Sequence, residues 1–192
     1  TYALVIGVER LSDITDTDDR GTAFIFADGA GAAIVGPSEA DDIGPVVWGS
    51  DGGNYDLIRQ KEDWMELVTS DSPGIPHLVM DGNPVFRWAV FTMAKVAQET
   101  LEKSGITADD LDVFLPHQAN LRIVDALARA THLPERVQVA DDIIHNGNTS
   151  AASIPLALHA MLADGRAKSG DKALMIAFGA GLSYAAQVVT VP

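Results

Sequence analysis

The sequence contains no cysteine. That excludes a disulfide framework, a cysteine-ligated metal and any thiol nucleophile drawn from these residues. Positive charge is scarce as well: 13 Lys and Arg stand against 27 Asp and Glu, for a formal charge of −14. A chain this acidic repels nucleic acid and anionic membrane at long range, so neither is expected as a partner. An acidic protein partner would need a local basic patch. Long apolar runs are missing too. No stretch can span a bilayer and no charged-then-apolar leader opens the chain, so a cytoplasmic location is expected. The five histidines, His77, His117, His132, His145 and His159, form no i, i+4 pair and no HExxH, so no metal is expected.

What is present suits a folded domain: 192 residues, 47% of them apolar, are enough for a real core. The sequence opens directly on a continuous apolar stretch, residues 2–8, that reads as a strand buried on both faces. With nothing before that strand, a fragment or a processed chain is expected. Residues 22–27 and 32–35 read as strands separated by a turn at Asp28-Gly29-Ala30-Gly31. This Gly-x-Gly lacks the third glycine and is followed by Ala-Ala-Ile-Val rather than a capped helix, so it is not a dinucleotide loop. Residues 37–44 read as a linker and residues 46–48 as the start of another strand. Residues 55–80 carry no clear periodicity; a lid and a surface arm are equally good readings. Asn83 reads as an N-cap, with Pro84 at the first position of a helix over 85–104. Further strands are expected at 111–115, 137–140, 172–178 and 184–191, with helices at 121–132 and 150–162. The last helix has an alanine-rich start that allows close approach to another backbone.

Three polar stretches punctuate this pattern. Leu115-Pro116-His117-Gln118-Ala119-Asn120 joins a strand end to a helix start, where ligands of α/β sheets collect. His145 to Pro155 contains Gly147-Asn148-Thr149-Ser150-Ala151-Ala152-Ser153, and Phe178-Gly179-Ala180-Gly181 closes the set. Singly these are a core histidine, a turn and a tight bend. In this order PHQAN, GNTSAAS and FGAG, with DRGTAFIFADGAGA (19–32) and GNPVFRWAV (82–90) upstream, resemble the C-terminal part of the β-ketoacyl-acyl carrier protein synthase III family, condensing enzymes of the thiolase fold. The likeness covers essentially the whole chain.

That resemblance implies an α/β fold, layered αβαβα and built by duplication of a βαβαβαββ half. Residues 1–36 would be the last strands of the N-terminal half and residues 37–192 the C-terminal half. A missing N-terminal segment would hold the nucleophilic cysteine that the family uses. Serine and threonine do not replace it, because their alkoxides form far less readily at neutral pH. Without the partner strands, the isolated chain is not expected to fold alone. The implied reaction is decarboxylative Claisen condensation of a short acyl-CoA with malonyl-acyl carrier protein, initiating fatty-acid synthesis in a homodimer. Coenzyme A and phosphopantetheine arrive as substrate carriers, and no other cofactor is expected.

By the same resemblance, His117 and Asn148 hold the malonyl thioester and its enolate, and the Gly179 amide holds the second oxyanion. A helix beginning near Ala119 would point its positive end at His117 and keep the ring neutral. Coenzyme A would be met by Arg20, Gly21, Gly82, Asn83, Phe86 and Asn120, and the thioester by Phe178. The acidic carrier protein would dock on Arg87, Gln118, Arg122 and Arg129, with Arg122 and Arg129 lying on one helix face. A non-catalytic thiolase-fold subunit that binds carrier protein, and a polyketide starter condensing enzyme, are the alternatives.

Overall fold

The opening apolar run forms β1 (Ala3–Glu9), which pairs antiparallel with β2 (Gly29–Val35), placing Gly7 opposite Gly31, in a computed structural model that describes all 192 residues. Three expectations fail here. β1 is not buried on both faces: Leu4, Val5, Ile6 and Val8 are all exposed in this chain. Residues 22–27 are turns, not a strand. The Asp19 carboxylate accepts the Gly21 N–H at 2.8 Å and the Thr22 hydroxyl at 2.7 Å, and Phe26 makes only an isolated bridge to Asn148. Conversely, Gly29 and Gly31 lie within a strand instead of a turn. They are glycine because the ribbon lies flat on another backbone. A Cβ at Gly31 would sit 2.7 Å from Pro155 Cγ, one at Gly29 would sit 2.9 Å from Thr149 Cβ, and one at Gly7 would strike the Ala151 carbonyl.

The rest of the chain builds a five-stranded sheet and a separate two-stranded one. In order come β3 (Val47–Ser50), β4 (Ile58–Gln60), α1 (Trp64–Val68), β5 (Leu78–Met80), α2 (Gly82–Lys103), β6 (Val113–Pro116) and α3 (Leu121–Ala130). They are followed by β7 (Gln138–Val139), the single turn α4 (Ile143–Asn146), α5 (Ser153–Asp164), β8 (Lys172–Phe178) and β9 (Ser183–Thr190). The sheet order is β3-β9-β8-β6-β7, with β6 parallel to β7 and β8 while β9 runs antiparallel to β3 and β8. Setting aside α4 and the arm that carries β4, α1 and β5, the chain from β3 runs strand and helix three times, then two strands.

Alternation along the central strands feeds two cores, one on each face. Phe114, Leu174 and Ile176 pack with Met93, Val96, Ile123 and Leu127 of α2 and α3. Val113, Leu115 and Ala173 pack with Ala157 and Met161 of α5. Helices therefore cover both faces of the central strands, while Trp48 of β3 stays exposed.

Helix ends follow local chemistry. Asn120 caps α3, its Oδ1 accepting the Ile123 N–H at 2.9 Å. Gly165, at φ 81°, ends α5 in the left-handed region. The start of α2 differs from the expected one: its N-cap is Asp81, so Asn83 and Pro84 are the second and third helical residues. The arm at 55–80 is stapled rather than loose. β4 pairs with β5, the Leu78 N–H reaches Ile14 O at 2.8 Å, and the Glu62 carboxylate accepts the His77 N–H at 2.8 Å. No helix is long and apolar enough to cross a membrane.

Candidate active site

His117 follows β6 directly, and its N–H bonds the Ile176 carbonyl of β8 at 2.7 Å. The ring is buried. It stands edge-on to Phe178, with centroids 5.5 Å apart, and its Nδ1 lies 2.7 Å from Ser153 Oγ. No ion pair involves His117. Burial without a compensating acid pushes its pKa down from 6.5 to about 4, so the ring is neutral at physiological pH. The expected neutrality is present, and loss of solvent is its cause.

Gln118 has a different role from the one the resemblance implies. It is fully buried, so it cannot meet a docking protein. Its Nε2 donates to Pro116 O at 2.8 Å and Ala140 O at 3.3 Å, and its Oε1 accepts the Ile143 N–H at 3.0 Å. It braces the turn that carries His117 against the segment leading to Asn148.

Asn148 is held by its backbone. Its N–H bonds Ile25 O and its carbonyl accepts the Ala27 N–H, both at 2.9 Å. The side-chain Oδ1 accepts the Ser150 N–H at 2.9 Å, which fixes the amide orientation and leaves the NH₂ group as the end without an intramolecular partner. Ser150 at φ 49° and Gly147 at φ 70° make this a strained turn, a feature that collects at functional sites. The His117 and Asn148 stretches meet through Ser153, five residues beyond Asn148 and in contact with the histidine ring.

The bend after β8 corrects a second assignment. The Gly179 N–H donates to Ser183 O at 2.9 Å, so it is not a free donor. Ala180 opens the following 3-10 turn (Ala180–Leu182), and the first amides of such a turn have no acceptor within it. The Ala180 N–H is thus the amide open to a ligand. Neither backbone nor packing requires glycine at 179: φ −167° suits any residue, and a Cβ there would meet nothing within 4 Å. Phe178 serves both as core and as a wall against His117. Trp88, not picked out from sequence, contacts its edge with centroids 6.0 Å apart.

The remaining candidates lie on the surface. Arg20, Gly21, Gly82 and Asn83 are exposed, while Phe86 and Asn120 are half-buried. Arg87, Arg122 and Arg129 are all exposed, and none has an acidic group within ion-pair distance, unlike Arg10, Arg136 and Arg166. Ser153, in contact with the His117 ring, is a position that the motifs alone did not single out. Its signal was a hydroxyl in an apolar helix start, where a buried polar group needs a partner.

The arrangement offers neutral N–H donors to an oxygen that gains negative charge, at the carboxyl ends of β6 and β8 and beside a strained turn. Comparison with known proteins bears on the family and the fold. Residues 101–191 match the model of the 3-oxoacyl-[acyl-carrier-protein] synthase III C-terminal region, and residues 1–52 match the 3-oxoacyl-[acyl-carrier-protein] synthase III model. A β-ketoacyl-[acyl-carrier-protein] synthase III of Streptomyces glaucescens is 58% identical over all of this chain, which spans 57% of that protein's length. The crystal structure of the priming β-ketosynthase of the R1128 polyketide pathway superposes at a TM-score of 0.95 and 49% identity, with all of this chain covered and 57% of that one. The synthase III of Thermus thermophilus superposes at 0.88 and 42% identity, over 98% of this chain and 59% of that one. The fold is thiolase-like. The chain belongs to the 3-oxoacyl-[acyl-carrier-protein] synthase III family.

Proposed function

We propose that this chain supplies the decarboxylating and oxyanion-holding part of a β-ketoacyl-acyl carrier protein synthase III. The observation that carries the reading is a buried, neutral His117 whose stretch is joined through Ser153 to that of Asn148, with the Asn148 NH₂ group unengaged. In the reaction, the bond from the malonyl α-carbon to its free carboxylate breaks and CO₂ leaves. The electron pair passes through the α-carbon to the thioester oxygen as an enolate. His117 and Asn148 donate to that oxygen without giving up a proton, so its charge is stabilised as it forms. The enolate carbon then attacks an acyl thioester. The second oxyanion, on the acyl carbonyl, is met by the Ala180 N–H, and its collapse expels a thiolate.

That thiolate belongs to a cysteine which these 192 residues do not contain. We assign it to a segment outside them. Acyl-CoA would be held by Arg20, Gly21, Gly82, Asn83, Phe86 and Asn120, with Phe178 against the thioester. The acidic carrier would dock on Arg87, Arg122 and Arg129, whose guanidinium groups lack internal ion-pair partners and match phosphate and carboxylate. A homodimer in the cytoplasm is the expected setting. Likeness to a polyketide-priming ketosynthase supports a second reading, in which the same site condenses a starter unit onto a polyketide carrier.

The test incubates the natural protein with short acyl-CoA primers and malonyl-carrier protein and weighs the carrier product. A β-ketoacyl-carrier protein is expected. Absence of both product and CO₂ release would contradict the proposal, and turnover only with a polyketide carrier would move the second reading to the front.

A further inference from the structure

Ser153 opens α5 and is buried. Its hydroxyl oxygen has two hydrogen-bond partners: the Gln118 N–H at 3.3 Å and His117 Nδ1 at 2.7 Å. The amide can only donate, so Ser153 Oγ accepts there. The hydroxyl hydrogen, shut away from water, is then left with one acceptor, Nδ1. A buried donor without an acceptor is costly, so that bond forms. We infer that Ser153 is a positioning residue whose hydroxyl donates to Nδ1 of His117 and keeps the imidazole hydrogen on Nε2, making His117 an Nε2–H donor to the reacting oxygen.

The inference rests on the reading of His117 as an oxyanion donor and adds the group that makes it one. With the hydrogen on Nδ1 instead, Nε2 would present a lone pair to a developing negative charge and repel it. The Ser153 hydrogen would also lose its acceptor. The surroundings hold this arrangement still. Gln118 is pinned at three points, which fixes the amide that Ser153 accepts from, and the edge-on Phe178 ring limits rotation of the imidazole. No proton is transferred in this role. The hydrogen stays on Nε2 throughout, and the enolate is held by a hydrogen bond.

The experiment uses the natural protein with ¹⁵N-labelled histidine and long-range ¹H–¹⁵N correlation at neutral pH, with His117 assigned by loss of its signals in His117→Gln. The Nε2–H pattern is expected, and an Nδ1–H pattern overturns the inference. In Ser153→Ala the tautomers are expected to mix. CO₂ release from malonyl-carrier protein should fall about tenfold through kcat with KM little changed, milder than a ring locked in the wrong tautomer. Ser153→Thr should restore both readouts. A Ser153→Ala protein that keeps a pure Nε2–H spectrum rules out the positioning role. The spectrum needs no turnover, so an Nε2–H ring governed by Ser153 in a protein that releases no CO₂ would sink the proposed reaction alone.

Discussion

His117 gives up its hydration on entering the space between β6, Phe178 and Ser153, and no acid lies close enough to replace it. Its folded pKa, about 4, therefore lies below the ordinary 6.5. Between those values the unfolded chain binds a proton that the folded ring refuses, so stability falls as pH drops through this window. The full effect is about 3 kcal/mol, present above the unfolded value and gone below the folded one. Urea midpoints measured from pH 7 to 4.5 should decline, and less steeply in His117→Gln; equal slopes would contradict the burial argument. Gln118 gives the opposite kind of test. Gln118→Ala strands the Ile143 N–H and the Pro116 and Ala140 carbonyls, at a cost of about 2–3 kcal/mol in stability. Carrier-protein affinity, read by titration calorimetry, should not change directly. At this scale His117 and Asn148 could be picked out as candidates, because a histidine at a strand end and an amide in a tight turn belong to recognisable motifs. Gln118 and Ser153 were not, because which side chains turn inward depends on segments more than 20 residues away.

At the scale of elements, the ribbon of β1 and β2 depends on its glycines. Gly31 faces Pro155, and Gly7 faces the Ala151 carbonyl. Gly31→Val should push the ribbon off the start of α5 and cost about 1–3 kcal/mol, the range for overpacking. It should also lower CO₂ release, since the same segment carries Ser153. A variant with unchanged melting temperature and activity would contradict the close approach. The order of strands and helices from β3 onward was readable from period and punctuation, including the Gly165 stop and the long α2, except for β4, α1 and β5 in the aperiodic arm and the single turn α4. The failures have local causes. Residues 22–27 have a strand's composition, but Asp19 captures their backbone in turns. Gly29 and Gly31 look like a turn because composition alone cannot tell conformational freedom from lack of space.

For the whole molecule, charge governs which partners can approach. At a net −14, an acidic carrier comes close only where guanidinium groups are unpaired. Arg122→Glu and Arg129→Glu together should weaken carrier binding at least about tenfold, and raised salt should weaken the natural protein in the same direction. Unchanged binding of the double variant would move the docking surface elsewhere. The family and the layered fold were legible from motifs spread over the chain. These residues span less than 60% of the Streptomyces glaucescens protein and of the two superposed structures.

The central claim is that His117 and Asn148 hold an enolate as CO₂ leaves. Release of labelled CO₂ from malonyl-carrier protein measures that step directly, in the natural protein and in His117→Ala and Asn148→Asp. The account predicts release by the natural protein and a loss of about a hundredfold or more in each variant, with folding retained. Variants that release CO₂ at the natural rate would contradict it.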